Sequence, residues 1–411
     1  MLLRTLQPAL LLVLAACGSS SSSNLQANAA ARSAGRPFKV ASVATFDKPW
    51  ALAFLPGSQS ALVTEKPGHI WLIDTASGRK QPVAGAPKVV ESSQGGLLDI
   101  VLSPAFASDH EVYLTYSEPS SHGGSGLALA RARFARTANG GALSGLQVLW
   151  RDPSGGEGGQ FGGIVAFAPD GKSLFLSSGE RQRFTPAQDP NQPLGKILHL
   201  TLDGKPAPGN PGAGQTGAAR VTVIDPPDDT VAARTAAGRQ VAWPGPNLTP
   251  AETWSSGHRN PYGLAFDAQG RLWETEMGPQ GGDELNLILP GKDYGWPLVS
   301  EGENYDGVPI AKPSTRPDLA AAKLTWVPSI APTSLLIYSG TLFPQWRGSG
   351  LIGSLSGQAL IRVTFSGDSA QKADQWDMGA RIRFVGQGPD GAIYLLEDGD
   401  GGRLLRLTPN R

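Results

Sequence analysis

The sequence has one cysteine, Cys17, among its 411 residues, so no intrachain disulfide can hold the fold together. It also has no excess of charge, because 35 basic and 35 acidic residues cancel. No run of lysine or arginine forms the cationic stripe that a nucleic-acid partner requires. These absences exclude a disulfide-stapled scaffold and argue against a nucleic-acid binder. Stability must come from burial, and a body of roughly 370 residues is ample for a large core.

Glycine and proline are abundant instead, with 53 and 34 residues scattered through apolar segments. Such a composition favours many short strands and tight turns over disorder.

The N-terminus has the pattern of an exported lipoprotein. Residues 1–17 place one arginine before an apolar run that ends in Leu14-Ala15-Ala16-Cys17, the pattern of a lipobox. A plain secretory peptide with an incidental cysteine is the alternative. Residues 18–36 begin with a serine run and lack apolar periodicity, so we expect a flexible tether. Because no aspartate follows Cys17, known sorting rules indicate a lipid anchor in the outer membrane, facing the periplasm, as the only membrane contact.

One strand-turn-strand phrase recurs six times, without amphipathic helices between the copies. The copies begin at Trp50, Leu97, Gly163, Gly263, Ser334 and Ile382. Radial repetition of this kind predicts an all-β fold, a six-bladed β-propeller of four-stranded antiparallel blades, over residues 37–411. A pair of β-sandwiches is the alternative. Residues 210–250 lack strand period, which indicates either a long surface excursion near the site or an insertion without a role.

The most specific stretch runs from Trp254 to Pro297. Arg259 and Asn260 are adjacent in it, and a guanidinium binds carboxylates through a rigid fork of donors. Oxygen ligands of the kind that calcium prefers are nearby. The stretch resembles the soluble aldose sugar dehydrogenases that depend on pyrroloquinoline quinone (PQQ), and the resemblance covers all six repeats.

The resemblance implies a PQQ site and two calcium positions. The residues that match its PQQ contacts are Gln94, Arg259, Asn260, Tyr305, Arg381 and Arg383. The residues that match its calcium ligands are Gly278 and Pro279 at one position and Glu284 and Tyr294 at the other. Arg259 would also stabilise negative charge on the quinone oxygen during catalysis. For Arg381 and Arg383 the alternative is a pair of solvated charges, and for Glu284 it is a turn residue.

The chain departs from the family at its catalytic base. The family has a histidine where this sequence has Gln160, and an arginine where it has Ile164. An amide has no useful basicity, so Gln160 can orient a hydroxyl group but cannot accept its proton. Glu157 and Glu180 are candidates for the same rim.

Three functions therefore remain open. The first is oxidation of the anomeric carbon of an aldose to a lactone, with electrons passed to a quinone or a soluble carrier. The second is a non-catalytic propeller that binds sugar or cofactor and has lost its base. The third is a calcium-dependent lactonase, against which the three arginines argue.

Overall fold

Each repeated phrase begins a four-stranded antiparallel unit in the computed structural model, which describes residues 35–224 and 236–410. The first two units are joined at their outer edges into one eight-stranded sheet, because Val83 and Ala84 pair in parallel with Gly141 and Ala142. The lipobox Cys17 and residues 18–34 of the predicted tether lie outside the described residues. From Pro37 onward the chain forms one compact unit. The strands, in chain order, are β1 (Phe38–Asp47), β2 (Pro49–Phe54), β3 (Ser60–Glu65), β4 (His69–Asp74), β5 (Lys80–Ala84), β6 (Leu97–Leu102), β7 (Glu111–Pro119), β8 (Ser125–Thr137), β9 (Gly140–Arg151), β10 (Gly162–Phe167), β11 (Ser173–Ser178), β12 (Lys196–Thr201), β13 (Arg220–Ile224), β14 (Gly238–Ala242), β15 (Thr253–Ser256), β16 (Pro261–Phe266), β17 (Leu272–Glu276), β18 (Asp283–Ile288), β19 (Leu324–Trp326), β20 (Pro332–Ile337), β21 (Gly350–Ser354), β22 (Ala359–Ser366), β23 (Ser369–Asp377), β24 (Ile382–Gln387), β25 (Ile393–Glu397) and β26 (Asp400–Pro409).

The six four-stranded units are the blades of a propeller, as predicted. Strands β2 to β5 form blade 1, β6 to β9 blade 2, β10, β11, β12 and β15 blade 3, β16 to β19 blade 4, β20 to β23 blade 5, and β24 to β26 with β1 form blade 6. The first strands of the blades, β2, β6, β10, β16, β20 and β24, each pack beside the next and close a ring around one axis. A closed ring of six inner strands excludes the two-sandwich alternative.

The ring is closed by the two ends of the chain. Strand β1 is the outermost strand of blade 6 and pairs antiparallel with β26, from Phe38 opposite Pro409 to Asp47 opposite Asp400. Blade 6 therefore combines strands from both termini. The repeated phrases do not predict β1, because it carries no copy of the pattern.

Apolar side chains fill the space between neighbouring blades. Between blades 4 and 5, for example, Trp273 and Leu285 pack against Ile352 and Ile361, and all four are buried. Truncating one such leucine to alanine typically costs about 2–5 kcal/mol. The stack of sandwiched sheets supplies the stability that the missing disulfides cannot.

In the described residues, helical structure is limited to short turns. The described helices are Phe106–Asp109 and Thr249–Glu252, with single 3-10 turns at Thr185–Gln188, Pro313–Thr315 and Pro344–Trp346. In the described part of the chain, no helix has the length and apolar character needed to cross a bilayer.

The excursion at residues 210–250 is not free of strands, so that prediction was wrong. It contains a β-hairpin in which β13 pairs antiparallel with β14, and residues 225–235 at its tip lie outside the described residues. Val221 and Val223 of β13 lie on one buried face together with Val241 of β14. Each strand is too short for its alternation of apolar residues to stand out in the sequence. The Nη2 atom of Arg239 donates to the carbonyl of Ser154 (2.7 Å).

Candidate functional site

The predicted site residues converge where the inner strands begin. Gln94, Gln160, Asn260 and Arg381 come shortly before β6, β10, β16 and β24, respectively. Because the inner strands surround one axis, their starting ends lie on one face of the propeller. We call this face the rim.

Gln94 joins three blades at the rim. Its Oε1 atom accepts hydrogen bonds from the backbone N–H of Gln160 (3.1 Å), from Nδ2 of Asn260 (3.2 Å) and from the hydroxyl of Tyr262 (2.9 Å). Tyr262 was not predicted. Burial raises its pKa to about 12, so the phenol remains a donor at neutral pH. Three independent donors on one oxygen place Gln94 at the centre of the rim.

Both polar atoms of the Gln160 side chain are hydrogen-bonded. The carboxamide nitrogen donates to Oε1 of Glu180 and the oxygen accepts from Nη2 of Arg259 (2.8 Å), the orientation that pairs both atoms. The residue is 3% exposed and has φ of +56°. Both polar atoms of its amide are therefore hydrogen-bonded to protein groups.

Glu180, one of the two acidic candidates, does lie at the rim. It is buried, and its second oxygen accepts from the backbone N–H of Arg183 (2.5 Å) and of Phe184. Burial raises the pKa of Glu180, and the positive charge of Arg259 partly offsets that effect. Glu180 is thus the carboxylate that faces the amide of Gln160.

Arg259 and Asn260 have polar atoms left over. Nη1 of Arg259 donates to the carbonyls of Met277 (3.1 Å) and Gly278 (2.6 Å), and the residue is only 5% exposed. Among the described residues, Nε of Arg259 and Oδ1 of Asn260 have no hydrogen-bond partner. Buried polar atoms are rarely left unpaired in a finished structure. One unpaired donor and one unpaired acceptor beside each other fit a bound group that is rich in oxygen and N–H.

Arg381 and Arg383 point to one side of their strand and share one carboxylate, that of Asp398. Nε of Arg381 donates to Asp398 (2.9 Å), and Arg383 donates through Nε (2.8 Å) and Nη2 (2.7 Å). Burial alone would raise the pKa of Asp398, but Arg383 and Arg381 outweigh it and hold the pKa below its usual value. The predicted convergence on one anion is present, and that anion belongs to the protein.

Lys66 adds a third cation that the sequence analysis missed. It follows β3 in blade 1, and its Nζ donates to the carbonyl of Ser93, next to Gln94 (2.9 Å). Partial burial lowers the pKa of Lys66, and the positive charge of Arg383 lowers it further. Arg381 and Arg383 pair with Asp398, and Lys66 interacts electrostatically with both Arg383 and Asp398, so three cations lie in this part of the rim and favour an anionic ligand.

The Gly278–Pro279 loop borders the rim on blade 4. The Gly278 N–H donates to Asp283 (2.9 Å), whose other oxygen accepts from the N–H of Ala331 (2.8 Å) and so ties the loop to blade 5. Tyr305 is 58% exposed and its hydroxyl donates to the carbonyl of Pro279 (3.3 Å). Tyr305 therefore lies at the outer edge of the rim. A carbonyl has two lone pairs, so both loop carbonyls can still serve a cation.

A cavity of about 10 Å³ lies behind Arg259 and is lined by Glu276, Glu284 and Tyr294. That volume holds about one water molecule or ion. Burial and the charge of Glu276 raise the pKa of Glu284 to about 8. The Tyr294 hydroxyl donates to the carbonyl of Leu287 (2.5 Å), so an oxygen that Tyr294 gives to a cation would be its backbone carbonyl.

The carboxylates around this cavity outnumber their donors. Nδ2 of Asn286 is shared among Glu274 (3.1 Å), Glu276 (3.2 Å) and Glu284 (3.0 Å). In the described part of the chain, Oε1 of Glu274 and Oδ1 of Asn286 have no hydrogen-bond partner. Nδ1 of His258 lies 3.1 Å from Oε1 of Glu276, within hydrogen-bond distance, so His258 belongs to the same buried cluster. Buried acidic oxygens in excess fit a hard cation such as calcium.

A six-bladed propeller with a cationic rim and an adjacent acidic cavity defines the class of protein. The family model described as Glucose / Sorbosone dehydrogenase matches residues 46–223 and 243–406. The chain belongs to this family of oxidoreductases. It is 34% identical over 370 residues to aldose sugar dehydrogenase YliI of Escherichia coli, covering 88% of this chain and 90% of that one.

Two solved structures show the same fold. The apo form of the soluble aldose sugar dehydrogenase from Escherichia coli has a TM-score of 0.77 and 32% identity, covering 91% of this chain and 100% of its own. The PQQ-bound form of aldose sugar dehydrogenase from Streptomyces coelicolor has a TM-score of 0.67 and 28% identity, covering 91% and 98%.

Proposed function

We propose that the protein is a PQQ-dependent dehydrogenase that oxidises the anomeric carbon of aldose sugars to lactones and passes the electrons to a quinone or a soluble carrier. The observation that carries the proposal is the charge of the rim, where Arg381 and Arg383 both pair with the single carboxylate of Asp398 and Lys66 lies close enough to interact electrostatically with Arg383 and Asp398. PQQ is a tricarboxylate with several carbonyl groups, so it matches both this charge and the unpaired atoms of Arg259 and Asn260.

Each rim residue has a definite role in this proposal. Arg381, Arg383 and Lys66 would attract carboxylates, and Gln94 at the centre of the rim and Tyr305 at its outer edge would border the bound ring system. Arg259 would stabilise negative charge that develops on a quinone oxygen. Asn260 is buried, so water is excluded from its part of the site. When bound, PQQ supplies the hydride acceptor.

Calcium fits two places beside the rim. The carbonyls of Gly278 and Pro279 can hold an ion at the loop, where it would polarise a carbonyl group as a Lewis acid. The cavity between Glu276 and Glu284 can hold a second ion that stabilises blade 4.

A non-catalytic binding propeller is the second candidate, and Gln160 favours it. Both polar atoms of the Gln160 amide are engaged, so Gln160 neither accepts a proton nor is free to orient a sugar hydroxyl. Loss of a positioned base typically costs about 10²- to 10⁴-fold in rate, which leaves room for slow turnover. A calcium-dependent lactonase needs acidic ligands at the axis, so the three cations at the rim argue against it.

Attachment to the outer membrane through a lipid on Cys17 is part of the same proposal. It rests on the sequence of residues 1–17 alone.

The test is a titration of the purified protein with PQQ and calcium, followed by quinone absorbance and then by dye reduction after aldoses are added. Binding with dye reduction supports the dehydrogenase. Binding without reduction supports a non-catalytic propeller that binds the cofactor, and no binding refutes every hypothesis in which PQQ is the cofactor. Arg381→Gln should weaken binding, whereas Arg316→Gln, which removes an exposed arginine paired with Asp318, should leave it unchanged.

A further inference from the structure

A cavity of about 410 Å³ lies on the propeller axis, below the rim and between the six inner strands. Its walls are largely apolar and include Leu52, Val101, Leu264 and Leu336, each from a different blade. The volume is that of a small-molecule binding site. We call this cavity the axial pit.

The axial pit is closed at the rim and open at the other end. Arg383 lies over the ring of Trp50 (4.4 Å), and Trp50 packs edge-on against Tyr262 (5.4 Å). These three side chains separate the pit from Gln94, which binds the Tyr262 hydroxyl from above. At the far ends of the inner strands, Phe54 and Leu336 are half-buried. A ligand would therefore enter from the face opposite the rim.

The polar groups of the pit favour a neutral ligand. Arg383 already pairs with Asp398. Asp99 accepts hydrogen bonds from the N–H groups of Val165 (3.0 Å) and Ile100 (2.9 Å), and burial raises its pKa to about 6. Asp99 is mostly ionised at neutral pH and would repel an anion, and each of its oxygens already accepts a backbone N–H, so a neutral ligand avoids the cost of desolvating an ion in the pit.

The closed end of the pit, next to the rim, also offers a hydrogen-bond donor. Among the described residues, Arg383 uses Nε and Nη2 for Asp398, which leaves Nη1 available. A ligand suited to this pit is apolar and ring-shaped and carries a carbonyl oxygen that can accept from Arg383.

We propose that the axial pit binds a neutral para-quinone, which accepts the electrons of sugar oxidation from the face opposite the sugar. Its redox role rests on the proposed function, but its binding does not. Oxidation of an aldose to a lactone releases two electrons and two protons, and reduction of a quinone to a hydroquinone consumes the same number, so no further reactant is required. The single layer formed by Trp50, Tyr262 and Arg383 separates the two sites.

Binding is tested with duroquinone by equilibrium dialysis, without PQQ, calcium or sugar. We expect one site per chain. Leu336→Trp, which fills the pit, should weaken binding about tenfold or more, and Val101→Phe from another blade should do the same. Ile337→Trp is the matched control, since Ile337 is the half-buried neighbour that does not line the pit. The proposal fails if wild-type protein does not bind duroquinone, or if all three variants bind it equally.

The redox role is tested with protein loaded with PQQ and calcium. Leu336→Trp should slow sugar-dependent reduction of duroquinone about tenfold while leaving reduction of ferricyanide, an anion excluded from an apolar pit, unchanged. Equal losses with both acceptors would overturn the role of the pit. A wild-type protein that binds duroquinone but reduces neither acceptor would refute the proposed dehydrogenase and the redox role, while leaving the binding site intact.

Discussion

The carboxamide of Gln160 donates a hydrogen bond to the carboxylate of Glu180, a buried pair at the edge of the rim. The family resemblance of the sequence implies that the catalytic histidine would occupy this position, and a carboxylate already faces it. A carboxylate that accepts from one ring nitrogen fixes the tautomer and leaves the other nitrogen free as a base.

Gln160→His should therefore increase aldose oxidation. Histidine tolerates φ near +56° better than most residues, and Glu180 would orient its ring. We expect a gain of about 10²- to 10⁴-fold in the rate of dye reduction at saturating sugar. Gln160→Asn, which keeps an amide, is the control and should show no gain. If Gln160→His binds PQQ and remains as slow as wild type, the position is not that of the base.

Lys66→Gln should weaken PQQ binding. A bound carboxylate relieves the repulsion between Lys66 and Arg383, and that relief is lost with the lysine charge. We expect a loss of affinity of about tenfold, smaller at high salt, in a titration followed by quinone absorbance. Lys48→Gln removes a neighbouring lysine that is already paired with Glu91 (2.8 Å), and it should have little effect. Equal effects of both variants would mean that Lys66 acts only through general charge.

Asp398→Asn should destabilise the protein at neutral pH, by about 1–3 kcal/mol, because Arg383 then loses the charge of its half-buried partner. The folded pKa of Asp398 lies below its usual value of 3.8. Its contribution to stability is therefore fully present above pH 3.8 and is lost as pH falls through the folded pKa. Urea unfolding from pH 7 downward should show the difference between wild type and variant shrinking only below about pH 4.

Asp400→Asn is the control for that series, since Asp400 is 82% exposed. A difference between wild type and Asp398→Asn that stays constant down to the lowest pH would contradict the assignment.

Calcium should raise the melting temperature of the protein through the cavity between Glu276 and Glu284. An ion at a hundred times its dissociation constant stabilises by about 2.7 kcal/mol. Glu284→Gln should abolish most of this gain in thermal unfolding measured with calcium and with a chelator. Glu303→Gln, at an exposed glutamate nearby, should retain it. A calcium response that survives Glu284→Gln would place the ion elsewhere.

Much of the fold was predictable because it is encoded locally. The six strand-turn-strand phrases are each contained in a short segment, and each forms the first strands of one blade. The convergence of Arg381 and Arg383 on one carboxylate was predictable for the same reason, since alternate residues of a strand share a face. The β13–β14 hairpin was missed because its strands are short and only partly alternating.

The sequence by itself determined the repeat number, the strand period and the residue types at the rim, because these depend on neighbours within a few positions. Tertiary structure alone decided which residues meet. Gln94 and Tyr262 are 168 residues apart and share a hydrogen bond. Asp398 pairs with Arg383 within blade 6, and Lys66 of blade 1 interacts electrostatically with the same arginine. Closing the ring brings six distant strand ends to one face. The excess positive charge of the rim, the engagement of Gln160 and the axial pit all follow from that closure, which no local pattern contains.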